Sequence, residues 1–124
     1  MKLFMYDEPR VVKNVGWYLG DQHQLMGRSG IIHPDTLADI LTGYQPEGVI
    51  SGLTVNRLED GLQVYRVVQE WQSKTPFVFY TVGDRAPREV IMMIQAGILR
   101  ENIIGKREVA EDVPKILAAL QGQR

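Results

Sequence analysis

In this chain of 124 residues with no cysteine, chemistry must come from carboxylates, hydroxyls, amines and two imidazoles. Disulfides, thiolate metal sites, cysteine nucleophiles and iron–sulfur clusters are excluded. His23 and His33 show no HxH or HxxxH spacing, which argues against a histidine-based zinc site. His33 precedes Pro34 and reads as a residue at a helix start rather than as a catalyst. Asp7-Glu8 is an adjacent carboxylate pair. It reads either as part of a metal site or as the acidic start of a helix, which the helix dipole favours. Ser51 and Thr54 carry hydroxyls, but no histidine is placed to serve as their base, and a hydroxyl without a base is a poor nucleophile. Gly27-Arg28-Ser29-Gly30 lacks both the length and the GK[ST] ending of a phosphate loop.

The charge balance is 14 Lys+Arg against 15 Asp+Glu, a net of -1. A nucleic-acid binder normally carries a basic excess on one face, and pairs such as Arg85 with Arg88 or Lys106 with Arg107 are too small to supply it. No apolar run approaches the ~18 to 20 residues of a membrane span. The start, MKLFMYDEPR, turns acidic too early for a signal peptide. The expected setting is soluble, reducing and cytoplasmic, with no membrane and no direct nucleic-acid partner. A chain of this length buries about two-thirds of its unfolded surface, enough for one core-bearing domain.

The elements that position these groups follow from periodicity. Lys2 to Tyr6 is a short apolar strand closed by Asp7-Glu8-Pro9. Val11, Val12, Val15, Tyr18 and Leu19 form a helical stripe, opened by Pro9 and stopped by Gly20-Asp21. Gln24 to Arg28 is a second strand. Pro34 opens a helix with Leu37, Ile40 and Leu41 inward and Gly43 as its C-cap. Gly48 to Ser51 is a buried-strand run, and Leu53 to Asp60 reads as loop. Val64, Val67, Val68 and Trp71 mark a third helix starting at Asp60-Gly61. Phe77 to Tyr80 is the clearest strand, aromatic and β-branched. Pro87 opens a helix through Gln95, ended by Gly97; Ile103-Ile104 is a short strand; Val113, Ile116, Leu117 and Leu120 stripe a last helix. Residues 1–120 form the domain, and 121–124 read as a frayed tail or the start of a linker.

Strand and helix thus alternate five times, which implies a parallel sheet covered on both faces. Right-handed crossovers leave few arrangements. The expected fold is α/β, a three-layer doubly wound five-stranded parallel sheet of order 2-1-3-4-5, flavodoxin-like. In such sheets ligands sit at the carboxyl ends of the strands beside the switch point. That places function at Tyr6-Asp7-Glu8, Ser51-Gly52-Leu53 and Thr81-Val82-Gly83.

At these places, and along the whole chain, the sequence resembles the receiver domain of two-component response regulators. Met5-Tyr6-Asp7-Glu8-Pro9 is similar to the family's V-D-D-E-P, and Pro46 through Gly52 to its P-D-L-V-L-L-D. Asp60-Gly61-Leu62 is similar to its D-G-L, and Thr75 through Thr81 to T-P-V-I-V-L-T. Ala96-Gly97 and Ile103-Ile104-Gly105-Lys106 are similar to A-G-A-D-D-Y-L-V-K. The resemblance implies an aspartate acceptor after strand 3, two acids holding magnesium, and a hydroxyl and a lysine binding phosphoryl oxygens. Thr81 and Lys106 match the last two, and Asp7 matches one acid.

The departures are as informative. Tyr6 stands where the other acid belongs. The acceptor position falls on Gly52 counted from Pro46 and on Leu53 counted back from Gly61; no acid occurs from Gly48 through Leu58. Ile103 replaces the usual aromatic, Arg107 replaces the usual proline after the lysine, and the stretch from Gly97 to Lys106 is two residues longer than the family's. Asp7, with Glu8 beside it, supplies too few oxygens for a hard divalent cation. No metal and no cofactor are expected. Lys106 either pairs with Asp7 in the vacated pocket or binds an anion, and Thr81 either serves an anion or caps a strand end.

The implied reading is a degenerate pocket of Asp7, Glu8, Gly52, Thr81 and Lys106 in a non-enzymatic pseudo-receiver that signals by protein contact. Two alternatives stand beside it: a divergent receiver still phosphorylated in a phosphorelay, and a small flavodoxin-like cofactor or nucleotide binder. Val90 to Ile94 is apolar all round, so one side of the fourth helix, near Arg88, Met92 and Gln95, faces outward. In receivers the face of helix 4, strand 5 and helix 5 is the usual signalling and dimer surface. It is the expected contact for a protein partner or a second copy, with an output domain beyond the C-terminus as a further partner. Trp17 and Tyr18 offer a second patch.

Overall fold

Each strand of this chain sends alternate side chains to opposite faces of one sheet, and both faces are apolar. Phe77 and Phe79 enter one core while Val78 and Tyr80 enter the other; Phe4 and Tyr6 part in the same way from Leu3 and Met5. A sheet buried on both sides needs helices on both sides. In the computed structural model, which describes all 124 residues, they alternate with the strands: β1 (Lys2–Tyr6), α1 (Pro9–Leu19), β2 (Gln24–Arg28), α2 (Pro34–Tyr44), β3 (Gly48–Ser51), α3 (Asp60–Trp71), β4 (Phe77–Thr81), α4 (Pro87–Ala96), β5 (Ile103–Gly105) and α5 (Val109–Gly122). The five strands are parallel in the order β2-β1-β3-β4-β5. The doubly wound fold expected from the sequence is the one observed.

The larger core packs α2, α3 and Met93 of α4 against one face. Its centre is aromatic: Tyr65 meets Phe77 edge to face at 4.9 Å, and Phe77 meets Phe79 at 5.0 Å. The smaller core packs Val15 and Leu19 of α1 and Val113, Ile116 and Leu120 of α5 against the other. No helix is long and apolar enough to cross a membrane.

Two expectations are corrected. Gly43 lies inside α2, and Gln45 takes the left-handed cap conformation at φ 54, its amide bonding the Leu41 carbonyl at 2.8 Å. The side chain of Gln45 gives no warning of that geometry, whereas glycine advertises it. The frayed tail is also absent. Helix α5 runs to Gly122, and the Gln123 carboxamide pairs with both backbone groups of Phe77, accepting from its N–H at 2.9 Å and donating to its carbonyl at 3.0 Å. A side chain here does what a neighbouring strand would do. On α4, Met92 is half-buried against the larger core, and the apolar side chains most open to solvent are Ile91 (54% exposed) and Ile94.

One close approach sets the position of α3. A Cβ on Gly61 would lie 1.9 Å from the Gly52 carbonyl oxygen, so the first turn of α3 rests directly on the end of β3. Gly61→Ala should therefore destabilise the domain by about 2 kcal/mol, within the range for overpacking, despite alanine's better helix propensity. Urea denaturation of the two proteins measures this; an unchanged midpoint would refute the contact.

Candidate functional site

The carboxyl ends of β1, β3, β4 and β5 meet at one buried acid. Asp7 follows β1 and is 1% exposed. Its Oδ1 accepts from the Glu8 backbone N–H at 2.8 Å and from Lys106 Nζ at 3.0 Å, and its Oδ2 lies 2.9 Å from the same ammonium. Lys106 is delivered from the far side of the sheet. Its backbone N–H bonds the Thr81 carbonyl at 3.0 Å, extending the β4–β5 pairing, and its side chain passes the Tyr80 ring, with Nζ 5.5 Å from the centroid. Burial pushes the Asp7 carboxyl above its ordinary value, and the Lys106 hydrogen bond and charge pull only part of that back. A carboxyl raised in the fold favours folding most when protonated, and that advantage fades as pH rises through its raised pKa. The ammonium is what makes an ionised Asp7 tolerable.

Gly52 is the other half of this contact. Its amide bonds the Tyr6 carbonyl at 2.9 Å, and a Cβ on it would sit 3.1 Å from Asp7 Oδ2 and 3.0 Å from Val55 Cγ2. Of the two positions reached by counting along the sequence, Gly52 therefore faces Asp7, while Leu53 is buried in the larger core. Thr81 is buried too, but its hydroxyl accepts from the Gly83 amide at 3.0 Å and caps the turn Val82–Arg85. Glu8 is exposed and caps nothing with its side chain. Ser51 donates to the Gly52 carbonyl at 2.8 Å. Arg88 and Gln95 are exposed on α4 and bond none of these groups. His33 accepts from the Asp35 amide at 3.2 Å at the start of α2.

Two acids outside the expected pocket prove central. Asp60 gathers the loop before α3, accepting from the amides of Val55 at 2.8 Å, Asn56 at 2.9 Å and Arg57 at 3.2 Å. It also accepts from the Tyr6 hydroxyl at 2.9 Å, and that oxygen in turn accepts from Asn56 Nδ2 at 2.9 Å. Tyr6 thus bridges β1 to the loop between β3 and α3. Burial would raise the Asp60 carboxyl, but the three amides and Tyr6 outweigh it and hold it below its usual range. Its contribution is present above the ordinary carboxylate pKa and is lost as pH falls through the depressed one. An aspartate followed by glycine at a loop's end is a turn-forming pair, and that was the available signal.

Asp112 is the second. It is buried in the first turn of α5, where it accepts from the Tyr80 hydroxyl at 2.6 Å and from the Arg107 amide at 2.9 Å. Burial and this carboxylate push the Tyr80 phenol far above its ordinary value. Arg107 completes the set by pairing with Asp84 at 2.6 Å. The Lys106-Arg107 turn is therefore held by Asp7, Asp84 and Asp112 together.

This geometry does not fit a hard divalent cation, which takes six or more oxygen ligands. Both Asp7 oxygens face Lys106, and no three acidic or histidine side chains converge anywhere in the fold.

No protein-family model and no curated protein sequence matches the chain. Solved structures do. The Salmonella typhimurium RcsB response regulator superposes with a TM-score of 0.74 at 20% identity, over 100% of this chain and 61% of that one. A response regulator receiver protein from Sinorhizobium medicae gives 0.73 at 18% identity, over 100% and 97%. A response regulator receiver domain protein from Clostridium thermocellum gives 0.74 at 19%, over 98% and 95%. The fold is that of response-regulator receiver domains. The chain spans less than two-thirds of the RcsB chain and nearly all of the two receiver proteins.

Removing the ammonium tests the site directly. Lys106→Met should cost about 3 kcal/mol near neutral pH, the lower end for breaking a buried pair, because Lys106 keeps 24% of its side chain exposed. The cost should shrink as pH falls and Asp7 is protonated. Chemical denaturation across pH measures it; a penalty independent of pH would mean the lysine stem, not the charge, is what matters.

Proposed function

We propose that this chain is a regulatory signalling domain of receiver type that acts through protein–protein contact and without phosphoryl transfer. The observation that carries the reading is the Asp7–Lys106 pair closed over Gly52. A receiver pocket needs an aspartate acceptor, a cation and free donors. Here glycine occupies the acceptor position and the lysine is already neutralised by Asp7. An incoming phosphate would find no nucleophile and would have to break an ion pair.

The proposed work of the domain is contact, in the cytoplasm, with a protein partner or a second copy. The face of α4, β5 and α5 supports this through Arg88, Ile91, Ile94 and Gln95, which stand open on α4. Met92 backs that face from the core side rather than forming it. The reading assigns the domain no catalysis and no cofactor.

Acetyl phosphate or beryllofluoride with magnesium, followed by intact-mass measurement and tryptophan fluorescence, decides the matter. Neither reagent should give an adduct or an emission change. Gly52→Asp should not acquire one either, since its Cβ presses on Asp7 and Val55, and it should lose about 1–3 kcal/mol of stability. A stoichiometric, magnesium-dependent adduct on the unaltered protein would overturn the proposal and return the domain to the phosphorelay.

A further inference from the structure

Trp17 is the most exposed large apolar side chain of the fold, at 81%, and Tyr18 beside it is half exposed. All the other aromatic side chains are buried or pack against the larger core. Val15 and Leu19 turn the inner side of α1 to the smaller core, which leaves Trp17 and Tyr18 outside it. Between α1 and the first turn of α5 lies a groove of about 350 Å³, lined by Asn14, Trp17, Tyr18, Glu108, Val109 and Ala110. Asn14 stands three and four residues before the two aromatic side chains, the spacing that makes helical side chains neighbours. Neither ring stacks on another aromatic ring, and the cations that lie over rings in this fold lie over Tyr44 and Tyr80.

The lining sets the charge of the occupant. No lining residue is cationic, and the one charged group is the Glu108 carboxylate. Glu108 precedes α5 but its side chain caps nothing, and it forms no ion pair. Glu111 follows it in the first turn of α5. Aromatic faces beside a free carboxylate attract a cation. A guanidinium fits better than an ammonium, because its plane stacks on a ring while its edge donates two parallel bonds to a carboxylate. The Asn14 carboxamide oxygen accepts from a further donor, and Val109 and Ala110 give a methylene stem an apolar wall. Small-molecule sites bury most of their ligand, which a wall as open as Trp17 does not do; the cation must come on a surface that covers the ring. Tryptophan, tyrosine and arginine are also the residues that dominate protein interfaces. We propose that this groove receives an arginine side chain of a partner protein. The inference rests on the reading of the domain as a contact module, and it adds a surface apart from α4, since α1 and α4 cover opposite faces of the sheet.

Heteronuclear NMR titration of the full chain with a blocked Gly-Arg-Gly peptide, its citrulline counterpart and tetramethylammonium tests it. The arginine peptide should shift the Trp17 indole N–H and the Val109 and Ala110 amides saturably, while the Trp71 indole, packed against the larger core, stays in place. The neutral citrulline peptide should bind about tenfold more weakly. Trp17→Ala, an exposed change that leaves the core alone, should weaken the arginine peptide about tenfold, and Glu108→Gln about threefold. Absence of saturation at about 10 mM arginine peptide would overturn the site. Equal binding of the citrulline peptide would overturn recognition of charge, and equal binding of tetramethylammonium would overturn recognition of a guanidinium. Shifts of the same peaks with protein concentration alone would seat a second copy in the groove and overturn the partner. None of these results bears on whether acetyl phosphate gives an adduct, so the groove and the contact-module reading fail separately.

Discussion

The pairing of Asp7 with Lys106 is the constraint on which the carboxyl end of this sheet depends. A carboxylate at 1% exposure cannot stay ionised without a partner, and the partner comes from across three strands. For the ammonium to arrive, β5 must run in register with β4 so that the Lys106 amide meets the Thr81 carbonyl. The turn beyond it must then be tied down, and Asp84 and Asp112 do so through Arg107. An ion pair buried to this extent adds little net stability over an apolar pair. It does impose a single arrangement on four strand ends.

Around that pair lies a closed set of internal bonds. Tyr6 donates to Asp60, and Asp60 spends its oxygens on three amides of the loop before α3. Gly52 leaves Asp7 and Val55 the room a longer side chain would take. Each of these contacts satisfies a polar group that would otherwise need water or a ligand.

The fold was legible because its signals are local and repeated. Glycine and proline punctuation placed most helix starts and ends, and apolar runs placed the strands, since a two-faced buried sheet demands them. The helix ending at Gln45 was missed because a left-handed glutamine looks like any other. Five consecutive apolar residues from Val90 to Ile94 carry no phase, so the greater exposure of Ile91 and Ile94 relative to the partly exposed Met92 was not legible in the sequence. Gln123 looked like a loose end because its bond partner, the edge of β4, is far away in sequence.

The sequence by itself determined the α/β order, the two-sided core, and the lack of any acid between Gly48 and Leu58. These are properties of residue type and spacing, and they hold whatever the loops do. Only the tertiary structure decided what the remaining polar groups are for. Whether Lys106 meets Asp7, whether Asp60 organises a loop, and whether Asp112 reaches Tyr80 depend on distances between residues remote in the chain. A charge pattern is nearly silent on such contacts, because an ion pair or a carboxylate–amide bond forms only where the packed backbone brings the two groups within about 3 Å.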